Sequence, residues 1–104
     1  MRPPPLTPEE LAVGLAGLPD WRVEDGRLVR ELAFADFDAA FAFMQRVAAH
    51  ARRLDHHPDW SNSYARVSIS LRTHDVGALT RLDLDLARAI EGCRVEGDGL
   101  DRSG

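Results

Sequence analysis

Three histidines frame the chemistry open to this chain. His56 and His57 stand side by side in the run LDHHPDW, residues 54–60, and His74 follows after a long gap. An imidazole titrates near pH 6.5, so it can give or take a proton at neutrality, and it is also a common metal ligand. A metal centre and an acid–base pocket are therefore both open. A zinc site needs three or four N, S or O ligands that converge, ordinarily at short spacings such as HxxxH or CxxC. The spacing here does not supply that set, and Cys93, the single cysteine, lies far off near the last helix. The acid–base pocket asks less. Two or three rings around a flat apolar cavity could protonate a leaving group and deprotonate a neighbouring atom in one step.

The elements around these residues must position them. Pro58 biases His57 to extended or turn backbone, where adjacent side chains point apart, so the two rings need not share a role. Upstream, Asp36 reads as the N-cap of a helix over roughly 36–53. Its apolar residues Phe37, Ala40, Phe41, Met44, Val47, Ala48 and Ala51 recur at three and four, which predicts one face buried on a sheet. Downstream, residues 60–64 form a short strand and 66–74 a longer one. Val67, Ile69 and Leu71 point inward there, and Arg66, Ser68, Ser70, Arg72 and His74 share the polar side.

At the N-terminal end, prolines 3, 4 and 5 give an extended lead-in over 1–6. Thr7-Pro8-Glu9-Glu10 then opens a helix with Thr7 at the N-cap, Pro8 at N1 and Glu10 closing a capping box, and Pro19 stops it. Residues 21–34 read as a β-hairpin around Asp25-Gly26, with Leu28, Arg30, Leu32 and Phe34 on one side. Thr80 opens the last helix, which Gly92 ends, and the tail over 96–104 reads as disordered. Together these elements predict an α+β, two-layer fold: an N-terminal helix, then strand–strand–helix twice. The four strands make one antiparallel sheet with helices on one face.

Composition narrows the partners. A chain of 104 residues supports a single domain, 1–104, with one modest core. Net charge is −4 and no basic run is present, which argues against nucleic acid, whose binding needs a Lys/Arg patch. No apolar run approaches a membrane span, the first residues lack the apolar stretch of a signal peptide, and a lone cysteine requires no oxidising compartment. The expectation is a cytoplasmic enzyme or binding module.

The run DHHPDWSNSYARVSISLRTHDVGALTRLDLDLARAIE, residues 55–91, resembles the pterin-4a-carbinolamine dehydratases. The matching pieces are His56-His57-Pro58, Trp60, Asn62, Tyr64, Val67, Leu71, Thr73-His74, Gly77, Leu79-Thr80, Asp83 and Leu86-Ala87. Upstream, Trp21, Phe34-x-Asp36-Phe37 and Ala40-Phe41-x-Phe43-Met44 match as well, so the likeness covers about residues 7–91. It implies a homo-oligomer, a dimer or a tetramer built from dimers. It also implies removal of water from 4a-hydroxytetrahydrobiopterin to give quinonoid dihydropterin. By resemblance His56 and His74 share the proton traffic, and His57 binds and orients the pterin. Trp60 and Asp83 lie near the substrate, and no metal or cofactor is needed.

Asp83 also fits a capping box with Thr80, and Trp60 fits the core equally well. One departure stands out: the family commonly has an acidic or hydrogen-bonding residue four before the first histidine, where this chain has Arg52. An arginine there would disfavour imidazolium at His56. Two other functions stay open, a family member acting on a different pterin, such as that of molybdenum cofactor metabolism, and a protein-binding dimerisation module.

Overall fold

Local signals decide where each element begins. The structure, a computed structural model, describes residues 2–94, so the tail expected to be disordered lies outside the described residues. Helix α1, Pro8–Ala16, starts on the expected capping box: the Glu10 amide donates to Thr7 Oγ1 at 3.1 Å and the Thr7 amide to Glu10 Oε1 at 2.8 Å. It ends earlier than Pro19 would force, with Gly17 at its C-cap. Strands β1 (Arg22–Glu24) and β2 (Arg27–Ala33) form the hairpin. Asp25 and Gly26 both have positive φ, 52° and 72°, as a two-residue type I′ turn requires.

Helix α2, Phe37–Leu54, follows its Asp36 cap, whose carboxylate accepts from the Ala39 amide at 2.8 Å. Strands β3 (Asp59–Ser63) and β4 (Arg66–Leu71) come next, then helix α3, Arg81–Gly92. The sheet is antiparallel throughout, in the order β1-β2-β4-β3. This is the expected α+β arrangement.

The core lies between the helices and one face of the sheet. Leu28 and Leu32 from β2 and Val67, Ile69 and Leu71 from β4 meet Ala40, Phe43 and Val47 of α2 and Leu86 and Ile90 of α3. Phe34 and Phe43 pack ring on ring, centroids 5.0 Å apart. Helix α1 comes close to α3 at Gly14, where even a methyl group would sit 2.6 Å from Leu84 Cδ1.

Two expectations need correction. The buried stripe of α2 is Ala40, Phe43, Val47 and Ala51, while Phe37 and Phe41 are exposed and stack on each other at 5.7 Å. A 3.6-residue period fixes a stripe only to within one step, and Phe43, packed on Phe34, takes the inward place instead of Phe41. Second, β4 stops at Leu71 rather than reaching His74. Its neighbours run out there, since Leu71 pairs with Leu28 and Ser70 with Asp59, each the end of the pairing on its side. Thr73 pairs back onto Ala78 instead, and His74 opens the turn between them.

Candidate active site

Three local devices bring the histidines together. At the end of α2, Asp55 adopts a left-handed conformation, φ 49°, which reverses the chain. The His56 amide then caps the Ala51 carbonyl at 3.0 Å, as in a Schellman-type end. His56 is thereby turned inward and is buried, whereas His57, held before Pro58, stays exposed. On the other side, Thr73 closes the turn that carries His74: its carbonyl accepts from Gly77 at 2.8 Å and its amide donates to Ala78 at 3.1 Å. Gly77 has φ 76°, a conformation that suits glycine. The lead-in strap completes the wall, with the Leu6 amide on the Leu79 carbonyl and Arg2 Nε on Asp75.

These devices bring His56, His57 and His74 to one open cleft of about 220 Å³, lined also by Arg2, Arg72 and Asp75. Behind it lies a buried polar network. Asp83 is fully buried, and its Oδ2 accepts from the Thr80 amide at 2.9 Å and the Thr73 hydroxyl at 2.9 Å. Its Oδ1 lies 2.6 Å from His56 Nε2. A carboxylate can only accept, so His56 carries its proton on Nε2 and turns Nδ1 free for other work. Asp83 thus closes the helix cap and holds the imidazole at the same time. It is not among the residues that line the cleft, and its contact with that cleft runs through His56.

His74 is held differently. It is exposed, and its Nε2 lies 2.9 Å from Asp59 Oδ2, an oxygen that Arg27 Nη2 also reaches. Partial burial pushes the Asp59 carboxyl up, but hydrogen bonds from His74 and Arg27, with their charges, outweigh it. The group is held below its ordinary value. Each of these two rings therefore has its own aspartate at Nε2.

Arg52 is exposed and makes no side-chain hydrogen bond or ion pair among the described residues. Solvent screens its charge, and the carboxylate that supports His56 comes from Asp83. Trp60 packs against the core from the edge strand and does not line the histidine cleft. Sequence reasoning missed Thr73 and Asp59, although Thr73 had a signal: it continues the inward parity of Val67, Ile69 and Leu71. Among the described residues no three His, Cys, Asp or Glu side chains group to hold a metal, and no helix is long and apolar enough to cross a membrane.

Residues 4–93 match the family model described as pterin 4 alpha carbinolamine dehydratase. The chain belongs to this family. Curated relatives named "Putative pterin-4-alpha-carbinolamine dehydratase" include one from Rhizorhabdus wittichii, 55% identical over 84% of this chain and 92% of its own. Another, from Burkholderia cenocepacia, is 52% identical over 84% of this chain and 87% of its own. The fold also matches a crystal structure described as a transcriptional coactivator/pterin dehydratase from Brucella melitensis. The TM-score is 0.82 and identity 38%, over 86% of this chain and 97% of that one. The histidine cleft is thus the candidate active site of a pterin carbinolamine dehydratase family member.

Proposed function

We propose that the chain removes water from a 4a-hydroxytetrahydropterin, giving the quinonoid dihydropterin. The observation that carries this is the convergence of His56, His57 and His74 on one cleft from two separate elements. Hydroxide is a poor leaving group, so the 4a-oxygen needs a proton as its bond to C4a breaks. The N5 lone pair supplies the electrons, a C4a–N5 double bond forms, and the proton on N5 must go. One ring of His56 and His74, entering as the imidazolium, delivers the first proton through Nδ1, and the other, entering neutral, takes the second on its Nδ1; the two rings exchange protonation states and the net loss is one water. The push comes from the substrate's own nitrogen, and the scheme needs no metal or cofactor. His57, exposed at the rim, orients the pterin ring.

The test is dehydration of a 4a-carbinolamine followed with purified protein. His74→Ala is expected to lower turnover about 10²-fold or more, the usual scale for a positioned acid or base. Its fold should stay intact because the side chain is 60% exposed. His57→Ala should mainly raise KM. Unchanged turnover in His74→Ala would remove that ring from the mechanism.

Two features favour refinements of this reading. Arg2 and Arg72 line the same cleft as the histidines. This favours a pterin whose side chain carries an anion, as in molybdenum cofactor chemistry, and kcat/KM for phosphorylated against unphosphorylated pterins separates the two. The exposed Phe37–Phe41 pair on α2 supports assembly into a homo-oligomer through that helix, which sedimentation reads directly.

A further inference from the structure

His74 sits in a turn on the surface, where nothing in the core fixes its ring. Its one side-chain partner among the described residues is Asp59, fifteen residues earlier at the start of β3, with Nε2 and Oδ2 2.9 Å apart. Asp59 is itself held. Arg27 from β2 reaches the same Oδ2 through Nη2, and its Nε donates to Ser70 Oγ on β4. The register explains the reach: Ser70 pairs with Val29 on one side and with Asp59 on the other, so one row of the sheet crosses all three strands. Arg27 lies diagonally across that row and bridges β2 to β3 on the face away from the helices.

We propose that Asp59, clamped by Arg27, which Ser70 braces in turn, is a positioning residue for His74. It accepts the hydrogen bond from Nε2–H, and Nδ1 is left as the ring nitrogen that exchanges protons with the substrate. An exposed ion pair adds little to stability, because solvent screens it and two side chains must be immobilised to form it. Orientation is a different matter. A neutral imidazole free in water samples both tautomers and many ring angles, whereas a fixed acceptor on Nε2 selects one. The clamp matters because a carboxylate with a single flexible partner would wander with it. Other charged or titratable groups around the ring are Arg2, Arg72, His56, His57 and Asp75, which line the cleft with it. In this structure none of them is hydrogen-bonded to His74.

This inference rests on the proposed dehydration only for its kinetic arm. The first measurement uses no substrate: ¹⁵N chemical shifts of the His74 ring, at a pH where it is neutral, in the full chain. The native protein should show the Nε2–H tautomer, and Asp59→Ala should lose that preference. The second measurement is turnover. Asp59→Ala should lower kcat roughly tenfold or more, a part of what removing the ring costs, with KM within about twofold. Asp59→Glu should restore tautomer and rate together, and the thermal midpoint should stay level across the series. An Nδ1–H tautomer in the native protein, or one unchanged in Asp59→Ala, overturns the proposal. So does a fall in midpoint with kcat intact, which would make Asp59 merely structural. If the native protein does not dehydrate the pterin at all, the functional reading falls, and the ring's tautomer still decides what Asp59 does.

Discussion

Replacing Asp83 with alanine should cost both the fold and the reaction, and its two losses can be separated. Three donors end on this fully buried carboxylate: the Thr80 amide, the Thr73 hydroxyl and His56 Nε2. A buried donor left without a partner costs about 1–3 kcal/mol. Even with rearrangement, Asp83→Ala should lose about 3 kcal/mol or more, read as the shift in urea unfolding. Asp83→Asn is the informative companion. Its amide fills the same volume and can still accept from Thr80 and Thr73 with its oxygen. The NH₂ group then faces His56 Nε2, which can satisfy it only by becoming an acceptor. The proton moves to Nδ1, the atom offered to the substrate, and the ring presents the wrong tautomer. Asp83→Asn should therefore keep most of the stability and lose about 10²-fold or more in turnover. Normal turnover in Asp83→Asn would show that the tautomer of His56 is immaterial. Native stability in Asp83→Ala would show that the buried network holds nothing together.

That network also shows where the sequence could be read and where it could not. Turn and cap signals act over a few residues, so Asp25-Gly26, Thr7-Pro8-Glu10 and Thr80-x-x-Asp83 were legible and stand where expected. The histidine pair and His74 were legible as chemistry because few side chains titrate near neutrality. What the sequence concealed is pairing across space. Thr80 and Asp83 announce a cap, but nothing nearby says that the other oxygen of the same carboxylate meets His56, on the far side of β3 and β4. Asp59 reads as an ordinary loop acid, since its partners Arg27 and His74 become neighbours only when β4 lies between β2 and β3. The polar alternation running on to His74 misled for a related reason. A strand ends where its partners end, and alternation can continue past that point, as the buried Thr73 does.

Arg30 is the clearest case of a residue whose parity was right and whose meaning was hidden. It shares the inward side of β2 with Leu28 and Leu32 and is fully buried. Its Nε donates to Glu91 Oε2 on α3 at 2.8 Å, and Trp21 Nε1 donates to the same oxygen at 2.8 Å. Glu91→Gln should destabilise the protein by about 3 kcal/mol at pH 7, because removing one partner of a buried pair strands the other's charge. Asp20, at 3.8 Å from Arg30, offsets only part of this.

The pH dependence gives a sharper check. Burial pushes the Glu91 carboxyl up, but the hydrogen bond and charge of Arg30, with the bonds from Trp21 and Arg94, outweigh it and hold it below its ordinary 4.5. A carboxyl lowered by folding contributes its stability in full above the unfolded value, and loses it as the pH falls toward the folded value. The native protein should therefore lose urea resistance below about pH 4.5 more steeply than Glu91→Gln, the two curves converging in acid. Asp59 titrates low in the native fold as well, but it is present in both proteins and cancels in the difference. Parallel curves would mean that the pair carries no linked stability. Turnover per folded molecule should hardly change, since Glu91 lies eight residues, about 12 Å along α3, from Asp83. One end of that helix locks the sheet to the helical layer, and the other end holds the His56 ring. A variant that weakens the first while sparing the second would show that the two ends do separate work.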